Sequence, residues 1–94
     1  MSEGDTPLHR AAANGNIEAA QQLVAEGADV RAINMYSQTP LHYASRYDYI
    51  VLVKLFIEKG ADINAKSSDG STPLKYASDS GNLTIVNFLI ENGA

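Results

Sequence analysis

Cysteine is absent from this 94-residue sequence, which excludes a disulfide framework and thiolate chemistry. The absence is compatible with a reducing compartment, so we expect an intracellular protein, cytoplasmic or nuclear. Apolar runs long enough to cross a bilayer are also missing, and residues 1–13 lack the basic and apolar pattern of a secretory leader. We therefore expect one soluble domain with no membrane partner.

Basic residues are scarce as well. Seven Lys and Arg stand against eleven Asp and Glu, giving a net charge of −4, and the basic residues are scattered along the chain. Proteins that bind nucleic acid need clustered Lys and Arg to neutralise phosphates. The composition therefore predicts no nucleic-acid partner.

A period of 33 residues organises the sequence. The segment TPLH at residues 6–9 returns at 39–42 and, as TPLK, at 72–75. Each unit also ends alike, with GADV at 27–30, GADI at 60–63 and a terminal GA. This pattern resembles the ankyrin repeat. The resemblance implies an all-α, helix-turn-helix solenoid with hairpin-like loops, in a single domain at 1–94 with repeats at 1–32, 33–65 and 66–94.

The local chemistry predicts two helices in each unit. Thr at 6, 39 and 72 is a good N-cap, and the Pro that follows it fits the first helical position. These first helices should end near Asn14, Tyr47 and Ser80. Second helices should follow at about 17–26, 50–59 and 83–92. Their buried faces are predicted at Ile17, Ala20, Leu23 and Val24, at Ile50, Val53, Phe56 and Ile57, and at Leu83, Val86, Leu89 and Ile90.

The two ends of the stack differ in polarity. The first unit has Ala19 and Gln22 where the third has Ile85 and Phe88. A terminal repeat needs a polar outer face. We expect the first unit to be capped, and Ile85 and Phe88 to be exposed on an uncapped third unit that is open to self-association.

Catalysis and metal binding are not indicated. His9 and His42 are the best candidates, but equivalent residues of stacked helices lie roughly 8–10 Å apart, whereas zinc ligands bind at about 2 Å. No phosphate loop or nucleophile elbow is present. We expect no enzyme activity, no cofactor and no metal. The ankyrin resemblance implies instead that His9 and His42 are structural, with rings bonded to backbone.

The resemblance further implies a protein partner that docks on the concave side, through loop tips and the first helices. By register, these positions in the middle repeat are Ile33, Met35, Tyr36, Gln38, Arg46 and Tyr47. Small polar and acidic residues occupy the matching positions of the outer repeats, among them Asp5, Asp69 and Asp79. Tyrosine and arginine supply most interface hot spots, so the middle repeat is the predicted binding centre. Tyr43 and Tyr76, at another position of the repeat, are predicted to pack between repeats.

Two departures from the repeat lie beside these positions. Asp48 stands where the outer units have Gly15 and Gly81, and Ser37 stands where they have Gly4 and Gly70. We expect either a left-handed backbone that strains these residues or, at Asp48, a helix extended by a turn.

Two alternatives stay open. The chain could be a structural spacer or assembly unit that associates through its third repeat, with the middle tyrosines incidental. The resemblance also raises hydroxylation of Asn64, which follows Asp62 and Ile63.

Overall fold

The structure is a computed structural model that describes residues 3–94; the predicted first repeat begins at residues 1–2, which lie outside that part. Six helices and no strand occur in residues 3–94. In chain order they are α1 (Pro7–Asn14), α2 (Ile17–Ala25), α3 (Pro40–Arg46), α4 (Ile50–Glu58), α5 (Pro73–Asp79) and α6 (Leu83–Glu91). The predicted all-α solenoid is confirmed, and the second helices end one residue earlier than predicted.

The first helix of each unit begins at the predicted threonine cap. The Thr39 hydroxyl accepts from the amide of His42, and the Thr39 amide donates to Nδ1 of the same ring at 3.0 Å. Because Nδ1 accepts this bond, the proton of the neutral ring sits on Nε2. Nε2 then donates to the carbonyl of Ser71 in the next unit at 2.9 Å. His42 therefore caps its own helix and ties down the loop that follows.

The same arrangement joins the first unit to the second. Thr6 and His9 form the cap of α1, and Nε2 of His9 donates to the carbonyl of Gln38 at 2.7 Å. The expected structural role of both histidines is confirmed. In the third unit Lys75 replaces the histidine and instead pairs with Asp79 across one helical turn at 3.1 Å.

The helices stack in two rows. One row is α1, α3 and α5, the other is α2, α4 and α6, and the two helices of each unit pack on each other. The largest fully buried apolar side chains come from all three units: Leu8, Leu41, Leu52, Val53, Phe56, Ile85 and Leu89. The core is therefore shared between units, as expected when a single unit cannot cover its own apolar faces.

The predicted faces of the second helices need correction at both ends of the stack. In α4, Val53 and Phe56 are buried as predicted. In α6, however, Ile85 is fully buried and Phe88 half-buried, whereas Leu83 is 69% and Ile90 53% exposed. The predictions that Ile85 is exposed and that Leu83 and Ile90 are buried were wrong. The Phe88 ring, on the Ile85 side of α6, lies 5.5 Å from Nζ of Lys54 in α4, so this side lies inside the stack.

At the other end, α2 shows the polar character expected of a cap. Gln22 is exposed and Ala19 is half-buried. Ile17, predicted to be buried, is 38% exposed. The outer side of the first unit therefore carries mostly small or polar groups, whereas the outer side of α6 carries the apolar side chains of Leu83, Val86 and Ile90.

None of the helices in residues 3–94 is long and apolar enough to cross a bilayer.

Candidate partner-binding face

The loop of the middle unit is held by the side chain of Asn34. Its Oδ1 accepts from the amides of Tyr36 at 2.9 Å and Gln38 at 3.0 Å, and its backbone amide donates to the Gln38 carbonyl at 3.1 Å. Ser37 completes the turn with a left-handed φ of 57°. Sequence reasoning missed Asn34, since the matching residue of the third unit is Ser67. This loop is thereby fixed from within.

The fixed loop displays three of the predicted site residues. The exposed fractions are 59% for Ile33, 63% for Met35 and 52% for Tyr36. Backbone bonds join the tip to both neighbouring loops: the Met35 amide donates to the Glu3 carbonyl at 3.0 Å, and the Ser68 amide donates to the Tyr36 carbonyl at 2.8 Å. Large apolar side chains are therefore held in solvent on an anchored backbone.

Gln38 has a different position from the other predicted site residues. It is half-buried, its Oε1 accepts from Asn34, and its Nε2 donates to the hydroxyl of Tyr76 at 2.9 Å. Its carbonyl also accepts from His9. Gln38 therefore bridges all three units, and its side-chain amide is already committed to partners within the chain.

The end of α3 presents the remaining two predicted residues. Arg46 is the last residue of α3, and Tyr47 caps it by donating its amide to the Tyr43 carbonyl at 3.1 Å. The guanidinium carbon of Arg46 lies 5.9 Å from the ring centre of Tyr47 and 5.7 Å from that of Tyr76. Both distances suit cation–π attraction. Tyr47 is 47% exposed, so its ring is available to a partner.

Asp48 has a left-handed φ of 67° and turns the chain toward α4. Of the two alternatives, a left-handed backbone or an extended helix, the structure therefore has the first, and α3 ends at Arg46.

Tyr49 follows and packs against Gly15, where a Cβ would lie only 2.6 Å from the Tyr49 ring. A glycine at 15 is thus required both by its own φ of 67° and by this close approach.

Two adjoining cavities form a groove between the second and third units. The larger, about 320 Å³, is lined by Arg46, Asp69, Ser71, Tyr76, Asp79 and Ser80. The smaller, about 190 Å³, is lined by Tyr36, Gln38, Ser67, Ser68, Asp69 and Tyr76. They share Asp69 and Tyr76. We call these two cavities the groove. Of the predicted site residues, the groove brings together Tyr36, Gln38 and Arg46, whereas Ile33, Met35 and Tyr47 line neither cavity.

Tyr43 and Tyr76 pack between units as predicted. Tyr43 is buried, its hydroxyl donates to Asp5 at 3.0 Å, and its ring meets that of His9 edge-on at 5.6 Å. The Tyr76 ring lies 4.8 Å from that of His42. Tyr76 is also half-buried in the wall of the groove, a second role that its repeat position alone did not indicate.

The electrostatics of this region follow from the hydrogen bonds and the burial. Asp69 accepts from the hydroxyl of Ser67 and from the amide of Ser71, and these bonds lower the pKa of the Asp69 carboxyl. Burial lowers the pKa of the His42 ring, against the opposing effect of its bond to the Ser71 carbonyl. At neutral pH Asp69 in the groove is therefore charged, and the buried His42, which lines neither cavity, is neutral.

Metal ligands are not assembled in the part of the chain that the structure describes: no three His, Asp or Glu side chains in residues 3–94 come close enough to hold an ion. The groove instead combines the exposed Tyr36, the half-buried Tyr76, an oriented guanidinium and carboxylates. That combination can bind another protein surface by aromatic, ionic and hydrogen-bonding contacts.

Comparison with known proteins agrees with the repeat architecture. Residues 8–94 match the family described as ankyrin repeats in three copies. A segment of 30 residues is 53% identical to ankyrin repeat domain-containing protein 49 of Bos taurus, and equally to the protein of that name from Homo sapiens. The matched segment covers 32% of this chain and 13% of each relative, so the likeness concerns repeat units and not whole proteins.

Proposed function

Because the chain belongs to the ankyrin repeat family, whose repeats are generally protein–protein interaction modules and typically not enzymes, we propose that residues 1–94 act as one non-catalytic domain that binds a protein partner. The partner docks on the concave side, on a binding face made of Ile33, Met35, Tyr36, Gln38, Arg46 and Tyr47. The groove beside these residues is part of the same surface.

The observation that carries this proposal is the concentration of exposed anchor residues in the middle unit. Of the eight large apolar side chains exposed in residues 3–94, four are Ile33, Met35, Tyr36 and Tyr47. Tyr and Arg dominate interface hot spots, because they bury large rigid surfaces that also hydrogen-bond. Tyr36, Tyr47 and Arg46 are therefore expected to supply most of the binding energy.

Rigidity supports the proposal as well. The loop that carries Tyr36 is bonded to itself through Asn34 and to the next unit through Ser68. Arg46 lies against the rings of Tyr47 and Tyr76. Side chains on a backbone that is already ordered lose little conformational entropy on binding. The same contacts would be weaker on a loop that had to fold on docking.

The experiment compares two faces of one molecule. Proteins that the native chain captures are identified, and their affinities are measured for Tyr36→Ala/Tyr47→Ala and for Gln21→Ala/Lys54→Ala on the second-helix side, where both residues are exposed. Each tyrosine truncation is expected to cost at least about 1–2 kcal/mol of binding. Normal binding by the tyrosine variant, with loss in the control variant, would place the interface on the other side.

Charge should govern the rate of encounter. Asp69 and Asp79 line the groove, and rim charges change association rates more than dissociation rates. Asp79→Asn is therefore expected to alter the association rate constant and its salt dependence, measured at two salt concentrations, with little change in the dissociation rate. A change confined to dissociation would indicate that Asp79 lies in the buried centre of the interface.

A second function is favoured by the outer side of α6. Leu83 is 69% and Ile90 53% exposed there, beside the half-buried Val86. In its row α6 packs on α4, and exposed apolar side chains at the end of a stack are where a further unit would pack. We propose, as the alternative, assembly through the third unit.

Sedimentation should then show self-association of the native chain. The double variant Leu83→Gln/Ile90→Gln should abolish it. The control Val51→Gln, which changes an exposed apolar residue of α4, should not. A native chain that is monomeric at high concentration contradicts this alternative.

A further inference from the structure

The smaller cavity of the groove carries one charge between two aromatic rings. Among its six lining residues, Asp69 is the one that is charged at neutral pH, and Tyr36 and Tyr76 are the two aromatic ones. Arg46 lines the larger cavity but not this one. The smaller cavity is thus a net-negative site with aromatic walls.

Each wall of this cavity is fixed by contacts within the chain. The Tyr36 carbonyl accepts from the Ser68 amide at 2.8 Å, and the Tyr76 hydroxyl accepts from Gln38 at 2.9 Å. Asp69 accepts from Ser67 and Ser71 through Oδ1, and the residue is exposed, so a ligand can reach its carboxylate. The backbone of Tyr36, the hydroxyl of Tyr76 and Oδ1 of Asp69 are therefore held in place by bonds within the chain.

Arg46 shows that the face of the Tyr76 ring is accessible to a cation. Its guanidinium carbon lies 5.7 Å from the centre of the Tyr76 ring, within the range over which a cation is attracted to an aromatic face. Arg46 lines the larger cavity together with Asp69 and Asp79, and Lys75 pairs with Asp79 at 3.1 Å. Asp69 and Tyr76 line both cavities, and the smaller one has no cation among its lining residues.

We propose that the smaller cavity binds the cationic side chain of a lysine or arginine that the protein partner presents. Tyr36 and Tyr76 contact the aliphatic stem and the charge, and Asp69 pairs with the ammonium or guanidinium group. The inference rests on the proposed binding function and deepens it, because it specifies a basic partner surface. The chain's net charge of −4 favours the approach of such a surface.

The test uses capped pentapeptides and the full chain labelled with ¹⁵N. The probe is acetyl-Gly-Ala-Lys-Ala-Gly-amide, with matched peptides in which the lysine is replaced by arginine, norleucine or glutamate. Amide shifts in the NMR spectrum give the site and the dissociation constant up to millimolar concentration. We expect the lysine and arginine peptides to shift Tyr36, Ser68, Asp69 and Tyr76, and to bind at least about fivefold more tightly than the norleucine peptide.

Matched variants separate the carboxylate and the ring from general effects. Asp69→Asn keeps the Oδ1 acceptor but removes the charge, and Tyr36→Leu removes the ring; each should weaken the lysine peptide at least about threefold. The control is Glu58→Gln, which removes an exposed carboxylate on α4 outside the binding face and the groove and should leave the affinity unchanged.

Several results would overturn the inference. These are equal binding of the lysine and norleucine peptides, preference for the glutamate peptide, an equal effect of Glu58→Gln and Asp69→Asn, or no shift with any peptide. If such a result is obtained while Tyr36→Ala/Tyr47→Ala still abolishes partner binding, only the cation site is wrong. If that double variant binds its partner normally, the proposed function itself is wrong.

Discussion

At the scale of single residues, the hydroxyl of Ser45 departs from the rule that buried polar groups are bonded. Ser45 is fully buried in α3, and its Oγ is the one buried side-chain polar atom in residues 3–94 without a hydrogen-bond partner. The matching residue of α1 is Ala12, which is also fully buried. Burying an unbonded hydroxyl costs roughly 1–3 kcal/mol. The site therefore favours alanine.

Ser45→Ala should raise the free energy of unfolding by about 1 kcal/mol, since it removes an unbonded hydroxyl and places a better helix former in α3. Urea denaturation measures the change. The matched control is Ser78→Ala at the same position of α5, where the side chain is exposed and the change should stay within about 0.5 kcal/mol. A loss of stability in Ser45→Ala would mean that the hydroxyl has a partner after all.

His42 makes stability depend on pH. Burial lowers the pKa of its ring below the ordinary 6.5, so the folded chain holds His42 neutral more firmly than the unfolded chain does. The contribution to stability is therefore fully present above about pH 6.5 and is lost as the pH falls through the lowered pKa. Nε2 donates to Ser71 and Nδ1 accepts from Thr39, so a proton added at Nδ1 breaks the cap.

Two measurements check this direction. NMR titration of the ring protons should place the His42 midpoint below 6.5, and urea unfolding should show lower stability at pH 5.5 than at pH 7.5. The pH dependence should be smaller in His42→Gln, whatever its absolute stability, because that side chain does not titrate. A midpoint above 6.5 would reverse the sign and contradict the prediction.

Single-residue roles could be predicted where the cause is local. The threonine caps and the prolines act within one turn of helix, so the spacing TPLH predicts them directly. At Asp48, the glycines at the matching positions 15 and 81 allowed a left-handed backbone to be expected, but an extended helix was the alternative until the structure gave a φ of 67°. The bonds among Asn34, Tyr43 and Asp5 were not predictable in this way, because their partners come from two units.

At the scale of the helix, the second helices show why an apolar pattern alone does not give orientation. α4 packs against α2 on one side and α6 on the other, so it is apolar on both sides. α6 has a similar pattern, but in its row it packs on α4 alone and exposes Leu83 and Ile90. The sequence therefore predicts which residues are apolar, but the side that remains exposed is decided by which neighbour is present.

Substitutions in α6 test this corrected orientation. Ile85 is fully buried, so Ile85→Ala should destabilise the fold by about 2–5 kcal/mol. Leu83 is 69% exposed, so Leu83→Ala should change stability by less than about 0.5 kcal/mol. Thermal or urea unfolding of the two variants gives the comparison. Equal costs for the two would show that the outer side of α6 is covered in solution.

At the scale of the whole molecule, stability is distributed over contacts between units. His9 reaches Gln38, His42 reaches Ser71, and Gln38 reaches Tyr76, each across a boundary between units. The fully buried side chains come from all three units, with Leu8 in α1, Phe56 in α4 and Ile85 in α6. The same distribution limits how much of the candidate site can be predicted from the sequence. The repeat register predicted the exposed tyrosines, but the groove forms only where the second and third units meet, and the register of one unit does not predict that contact.

Removal of residues 66–94 should therefore abolish cooperative unfolding. The truncation takes away α5 and α6, which pack on α3 and α4, and leaves the Nε2–H of His42 without the Ser71 carbonyl. Two units that each lack a complete core should give a broad thermal transition with little heat absorbed, because solenoid stability is a sum of unit and neighbour terms. Differential scanning calorimetry of the full chain and of residues 1–65 makes the comparison. Removing only residues 92–94 is the control, since these follow α6 and the transition should stay sharp. A sharp transition in the shorter chain would show that two units are enough for cooperative folding. The contacts between the second and third units would then matter for forming the groove more than for stabilising the fold.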